Sequence, residues 1–359
     1  MTPDIGTADP PGPAEPEGAP RDARGRFHNP PLPGGAATGG HGLLPVLRWQ
    51  WRRRHRRAVW PDRIIDPPPP GDPHAVPPAG HAALTFLGHS GFLLRLPGAA
   101  GACVTLLFDP VFSERCSPVQ WAGPKRVRAP GRSLDAIPLP DLVLVSHNHY
   151  DHMDLPGLRA LRRRARQAGR SLRVVAPLNN ARHLRHAGIE DVTELDWWQA
   201  AHPLPGLHVI ATPARHFSAR TPFDRNEALW SGFMVRTDTA RILFAGDSGQ
   251  GPHWHEIRAR LGAPDIAMLP IGAYEPREIM AAVHMNPAEA VAAHLALGAR
   301  RSVGMHFGTF QLTDEAIDAP ASALETARQA ARVTEEAFRV PALGRVDLIT
   351  LDGERLRPA

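Results

Sequence analysis

The chain has 359 residues, a net charge of +5, 43% hydrophobic and 21% charged residues, enough apolar material for a sizeable core. No run reaches the ~18–20 apolar residues that a bilayer span needs, and the N-terminus lacks the basic start and apolar run of a signal peptide, so the expected location is the cytoplasm. Two cysteines, Cys103 and Cys116, are too few for a disulfide scaffold and read as packed thiols. Lys125 is the single lysine among 41 basic residues, the rest being arginine, a bias that coding composition explains.

Residues 1–80 hold 18 of the 39 prolines and lack the apolar periodicity of a core. They read as a partly disordered extension, with its first two dozen residues unstructured, ahead of one folded unit over 81–359. Within it, Arg48 to Trp60 packs six arginines beside Trp49, Trp51 and Trp60. From residue 82 short apolar runs recur, at 84–88, 103–109, 141–146, 173–177, 207–213, 241–247, 266–272 and 301–308, each of strand length and closed by a turn residue. Helical patterns separate several of them, at 155–169, 252–262, 286–298 and 319–333. Strands interleaved with helices predict helix-covered sheets in an α/β or α+β layered fold, and no internal repeat is visible.

The chemistry concentrates in Ser146-His147-Asn148-His149-Tyr150-Asp151-His152, between the strand DLVLV and a helix. In an extended turn His147 and His149 point the same way, while Asp151 and His152 face a second centre beside them. Imidazole and carboxylate suit zinc, so the run offers half of two neighbouring sites. A lone histidine after an apolar run is more often structural, but His216, Asp247 and His306 follow successive strands as an ordered set and supply the remaining donors.

This pattern, His-x-His-x-Asp-His followed by His, Asp and His, resembles the metallo-β-lactamase superfamily over residues 82–350. The resemblance implies an α+β four-layer αββα sandwich, two mixed β-sheets flanked by helices, with the site at one edge. It implies a first zinc on His147, His149 and His216, a second on Asp151, His152 and His306, and a bridging Asp247. The segments FSERCSPVQWAGPKR (112–126), SHNHYDHMD (146–154), ELDWW (194–198), FAGDSG (244–249), LPIGAYEPR (269–277), VHMNPAEAV (283–291) and MHFGTFQLTDEA (305–316) are similar to the N-acylphosphatidylethanolamine-hydrolysing phospholipase D branch. So is Arg26-Phe27-His28-Asn29-Pro30 in the extension.

The implied reaction is phospholipase D-type cleavage of a phosphodiester by a hydroxide bridging two Zn²⁺ ions; zinc brings the pKa of its water to about 7. Two Zn²⁺ against Asp151, Asp247 and hydroxide leave about +1, which favours an anionic phospholipid. Asp151 and His284 are the candidate catalytic groups, His284 as proton donor to the leaving alkoxide. Asp109 is a candidate to orient a metal-bound histidine; Lys125 and Tyr274 are candidate substrate contacts. His89 reads first as a packed histidine, and Trp197-Trp198 as core.

The expected partners are a phospholipid and, peripherally, the inner membrane surface through Arg48–Trp60; a homodimer is admitted and nucleic acid is disfavoured. Because no candidate ligand lies in residues 1–60, their deletion is expected to spare turnover of a water-soluble phosphodiester. The alternatives are a lactonase or a nuclease on the same metals; a scaffold with a closed four-ligand zinc site fits seven donors poorly.

Overall fold

The structure is a computed structural model that describes residues 18–32, 48–49, 51–53, 57–97 and 103–351. Two seven-stranded sheets face each other. The first holds β1 (His81–Gly88), β2 (Gly91–Pro97), β3 (Cys103–Phe108), β4 (Leu142–Leu144), β5 (Val174–Pro177), β6 (Val192–Leu195) and the last strand, β14 (Val346–Thr350), in the order β14-β1-β2-β3-β4-β5-β6. The second holds β7 (Ala200–Leu204), β8 (Leu207–Thr212), β9 (Gly232–Arg236), β10 (Arg241–Phe244), β11 (Ile266–Pro270), β12 (Arg301–Met305) and β13 (Phe338–Arg339), in chain order.

Both sheets are mixed, and in the same way. Reading from β14 or from β7, three antiparallel pairings precede three parallel ones. The two halves thus repeat a topology that no sequence repeat betrays. Each parallel set needs crossovers, and helices supply most of them: α1 (Leu155–Gln167) and α2 (Ala181–His186) beside the first sheet, α3 (His253–Leu261), α4 (Arg277–Met280), α5 (Pro287–Leu297) and α6 (Ala319–Ala331) beside the second.

Burial alternation decides which side chain goes where. In β2, β3 and β4, Leu94, Leu106, Phe108 and Leu144 point between the sheets, while Leu93, Leu107 and Val143 point outward onto Leu158, Leu161 and Leu184 of α1 and α2. Phe108 of β3 meets Phe244 of β10 across the interior, ring centroids 5.1 Å apart. All eight expected strands and all four expected helices are present. Of the six unforeseen strands, β13 has two residues and β6, β7 and β14 are only partly buried, so their apolar signal is thin; β2 and β9 are buried and apolar and begin at glycine.

The extension departs from its expectation. Residues 18–32 lie on the folded unit, with Phe27 1% exposed in a cluster with Trp197, Ala214, Leu229 and Trp230. Further on, the Trp49 and Trp60 indoles donate to Asp314 (2.8 Å) and to the Glu315 carbonyl (2.9 Å), and Arg53 pairs with Asp314. Arg54, Arg56 and residues 1–17 lie outside the described residues.

Candidate metal centre

The site forms where strands of both sheets end. His147 to His152 follow β4, His216 follows β8, Asp247 follows β10 and His306 follows β12. The sheets meet there through an isolated bridge between His89, just past β1, and Phe307, and the His306 N–H donates to the His89 carbonyl at 2.7 Å. Three of these positions are strained: His89, Asp109 and His306 have φ of 55°, 36° and 64°. Non-glycine residues in that region cost about 1–3 kcal/mol each and persist where surroundings fix them. Gly246, beside Asp247, has φ of 60°, and a Cβ there would meet Ser231 O and Ser146 Cβ within 3 Å, so the turn into Asp247 needs glycine.

Two donor groups share one carboxylate. In the first, His149 Nδ1 lies 2.8 Å from His147 Nε2 and 3.2 Å from His216 Nε2. In the second, Asp151 Oδ2 lies 3.3 Å from His306 Nε2 and 3.6 Å from His152 Nε2. Asp247 Oδ2 stands between them, 3.0 Å from His152 and His306, 3.7 Å from His216 and 3.9 Å from His147. All seven residues expected from the sequence are therefore brought together.

The surrounding hydrogen bonds decide which ring nitrogens carry lone pairs. Asp109 accepts from the Ser146 N–H (2.7 Å) and from its hydroxyl (2.5 Å), so the Ser146 oxygen is left to accept from His147 Nδ1–H at 2.9 Å. Asp109 also accepts from His152 Nδ1–H at 2.6 Å, and the Val283 carbonyl from His216 Nδ1–H at 3.0 Å. With Nδ1 donating outward in all three, Nε2 is the nitrogen that each ring turns inward. A metal ion fits this arrangement: converging ring nitrogens, two carboxylates, and outer partners that fix the rings. These residues could hold two ions.

Charge follows the same division. Burial, then neighbouring histidines, keep His147 and His216 well below the usual imidazole range and bring His149 to about 4, so the first group is neutral. In the second group burial works the same way, but Asp247 and Asp151 outweigh it. They raise His306 to about 9 and His152 well above the usual range. Burial alone would raise Asp151 and Asp247, yet His152 and His306 hold both well below the carboxylate range.

Other expected residues divide. Asp109 is fully buried under the cluster, as described. His284 is 8% exposed, its ring 5.0 Å from His216 and 5.1 Å from His306; burial brings it to about 3, so it is the neutral imidazole at pH 7 and can share one N–H, but not act as a cationic acid. Its carbonyl accepts from Arg277, which is doubly bonded to Glu289, the carboxylate that closes the Asn286 capping box of α5. His89 exceeds its reading as packing, because its Nε2 contacts Asp151 Oδ2 at 2.9 Å. Lys125 does not join the cluster; it pairs with Glu114 at 3.2 Å on the surface. Tyr274 is buried, with its N–H on Glu315.

Sequence reasoning passed over Ser146 as a link, and over Asn29, whose side chain meets the backbone of His216. It also passed over Arg225, stacked on Phe217 (4.3 Å), whose ring packs on His149 (4.5 Å). A serine beside a metal-binding run is a recognisable signal, and Asn29 lies within the Arg26–Pro30 segment whose similarity is noted above; Arg225 comes from a remote segment and has none.

Two carboxylate-linked donor groups at the joint edge of two mixed sheets define a metal-dependent hydrolase of the metallo-β-lactamase fold. The chain belongs to that superfamily: residues 105–307 match the family model for the beta-lactamase superfamily domain. An uncharacterized protein of Mycobacterium tuberculosis is 36% identical over 297 residues, covering 81% of this chain and 75% of its own. The N-acyl-phosphatidylethanolamine-hydrolyzing phospholipase D 1 of Caenorhabditis elegans is 36% identical over 237 residues, 64% of each chain. A metal-dependent hydrolase of Opitutus terrae is 33% identical over 63% of this chain and 85% of its own. Among solved structures, the metallo hydrolase Igni18 of Ignicoccus hospitalis shares the fold with a TM-score of 0.54, at 23% identity over 75% of this chain and 98% of that one.

Proposed function

We propose that the protein cleaves a phosphodiester of an N-acylphosphatidylethanolamine-like phospholipid, releasing a phosphatidic acid and an N-acylethanolamine-type alcohol. The observation that carries a two-ion reading is Asp247 Oδ2, within 4 Å of four imidazoles drawn from both donor groups. His147, His149 and His216 would hold one zinc ion, Asp151, His152 and His306 the other, with Asp247 shared. Bound there, two zinc ions supply Lewis acidity toward a phosphoryl oxygen and an activated water.

The chain's own residues do the rest. Asp109 and Ser146 keep the His147 and His152 lone pairs inward, and His89 steadies Asp151. His284, neutral and beside both groups, donates its N–H to the leaving oxygen and so favours charge developing there. Arg225 has no hydrogen bond or ion pair from its guanidinium among the described residues, and offers a second cation to an anionic substrate. The similarity to the Caenorhabditis elegans enzyme points to the lipid class.

Contact with a lipid surface belongs to this reading. Val59 (97% exposed) lines a groove of about 590 Å³ together with Arg53, Arg57 and Lys125, and Trp51, two residues before Arg53, is 70% exposed. Such a mixture suits an anionic leaflet. Trp49 and Trp60 are less available than expected, since their indoles are engaged by the folded unit.

The test is metal analysis of the purified chain together with turnover of an N-acyl phospholipid, a lactone and bis(p-nitrophenyl) phosphate. Near two zinc ions per chain, with both phosphodiesters cleaved, is the expected result. Rapid lactone opening without phosphodiesterase activity would replace this reading by a lactonase.

A further inference from the structure

His216 is a candidate ligand without a helix or strand to hold it. It lies in the stretch 213–231 between β8 and β9, nineteen residues with no named helix or strand. It is also 1% exposed, so its backbone N–H and carbonyl need partners inside the protein. Both come from one side chain. Asn29 Nδ2 donates to the His216 carbonyl at 2.9 Å, and the His216 N–H donates to Asn29 Oδ1 at 3.1 Å. The carboxamide pairs with a single residue as a neighbouring strand would, and Asn29 is itself only 4% exposed.

The adjoining residues of the extension fasten both limbs of the same stretch. On the outgoing limb, Arg215 Nη1 donates to the Pro30 carbonyl at 2.8 Å. On the returning limb, the Phe27 N–H donates to the Asn226 carbonyl at 2.9 Å, and Arg26 donates to the carbonyls of Phe223 and Arg225, each at 3.1 Å. Phe27 anchors the clasp in its apolar cluster.

We infer that Asn29 is a positioning residue for the metal centre: the extension completes the first donor group by fixing the backbone of His216. A histidine side chain can turn its Nε2 to a metal only if its Cα is in place, and Val283 fixes only the ring. The inference rests on the metal reading above, and the two fail differently.

The test is titration of the full-length, metal-free protein with Zn²⁺ and with Co²⁺, for wild type, Asn29→Ala and the isosteric Asn29→Asp. Losing an outer partner commonly costs about 10–100-fold in metal affinity. We expect a loss of that size at one of the two binding events, and a changed Co²⁺ visible spectrum for that event, while the other keeps its affinity. Asn29→Asp keeps the acceptor for the His216 N–H but sets a carboxylate oxygen against the His216 carbonyl, so it should weaken the same event even if Asn29→Ala folds poorly. Two wild-type-like binding events with an unchanged Co²⁺ spectrum in a folded variant would overturn the clasp. Equal weakening of both events would also overturn it, because that is the mark of general loosening. No metal binding by wild type would overturn the metal reading itself.

Discussion

Asp109 is the residue on which the tautomers of the centre turn, although it is not among the seven candidate ligands. It fixes His152 directly and His147 through Ser146. Asp109→Ala should therefore weaken metal binding about 10–100-fold, measured by competition with a chromogenic chelator. An unchanged affinity would remove it from the centre. The two donor groups should also respond differently to protons. In the metal-free protein His306 titrates near 9 rather than 6.5, because Asp247 and Asp151 outweigh its burial. A folded-state pKa raised in this way gives stability that is fully present below about 6.5 and is lost as pH rises through about 9. The melting temperature of the chelated protein should accordingly fall between pH 7 and pH 9.5, windows set by that pair of values, and the zinc-loaded protein should fall less. Zinc binding at pH 7 should release protons, readable by calorimetry in buffers of different ionisation enthalpy. Flat melting curves in the metal-free protein would remove the imidazolium–carboxylate pairing.

At the level of elements, a strand's work is split between its faces. Phe108 fills the space between the sheets against Phe244, and the next residue, Asp109, turns under the metal centre. Phe108→Ala should cost about 3–5 kcal/mol of stability, the usual loss for a buried phenylalanine, measured by denaturant unfolding. The metal content of the remaining folded protein should stay at the wild-type value, since the donors are bonded among themselves. Loss of metal in step with stability would show that the sheets and the centre are one cooperative unit. The regular strands were legible because buried runs such as DLVLV and RILFAGD are continuously apolar and end in turn residues. The edge strands β6, β7 and β14 were not, because half-exposed strands owe their conformation to a pairing partner distant in sequence.

For the whole molecule, the extension is a part of the machine rather than an appendage. Against the expectation drawn from the lack of ligands in residues 1–60, deleting residues 2–31 should slow turnover of a water-soluble phosphodiester as well as that of vesicle substrate, because the deletion removes Asn29 from His216 and Phe27 from its cluster. A truncated chain with wild-type activity on the soluble substrate would refute this. The lipid-facing groups should separate from that effect. Arg52→Glu with Arg57→Glu and Trp51→Ala should reduce sedimentation with anionic vesicles and leave soluble turnover within about twofold, each basic side chain near a leaflet being worth about 1 kcal/mol. No helix among the described residues is long and apolar enough to cross a membrane.

The sequence by itself picked out the candidate donors that the fold gathers, since four of them lie within six residues and the other three follow apolar strands, where local spacing and residue chemistry suffice. It determined the layered class for the same reason, through continuous apolar runs of strand length separated by helical patterns. Only the tertiary structure decided that Asp247 Oδ2 stands within 4 Å of four imidazoles, that His89 contacts Asp151, that Lys125 stands apart from the centre, and that Asn29 holds the backbone of His216. Those relations join residues tens to hundreds of positions apart, and no local pattern encodes a contact whose two halves are brought together by the packing of two sheets.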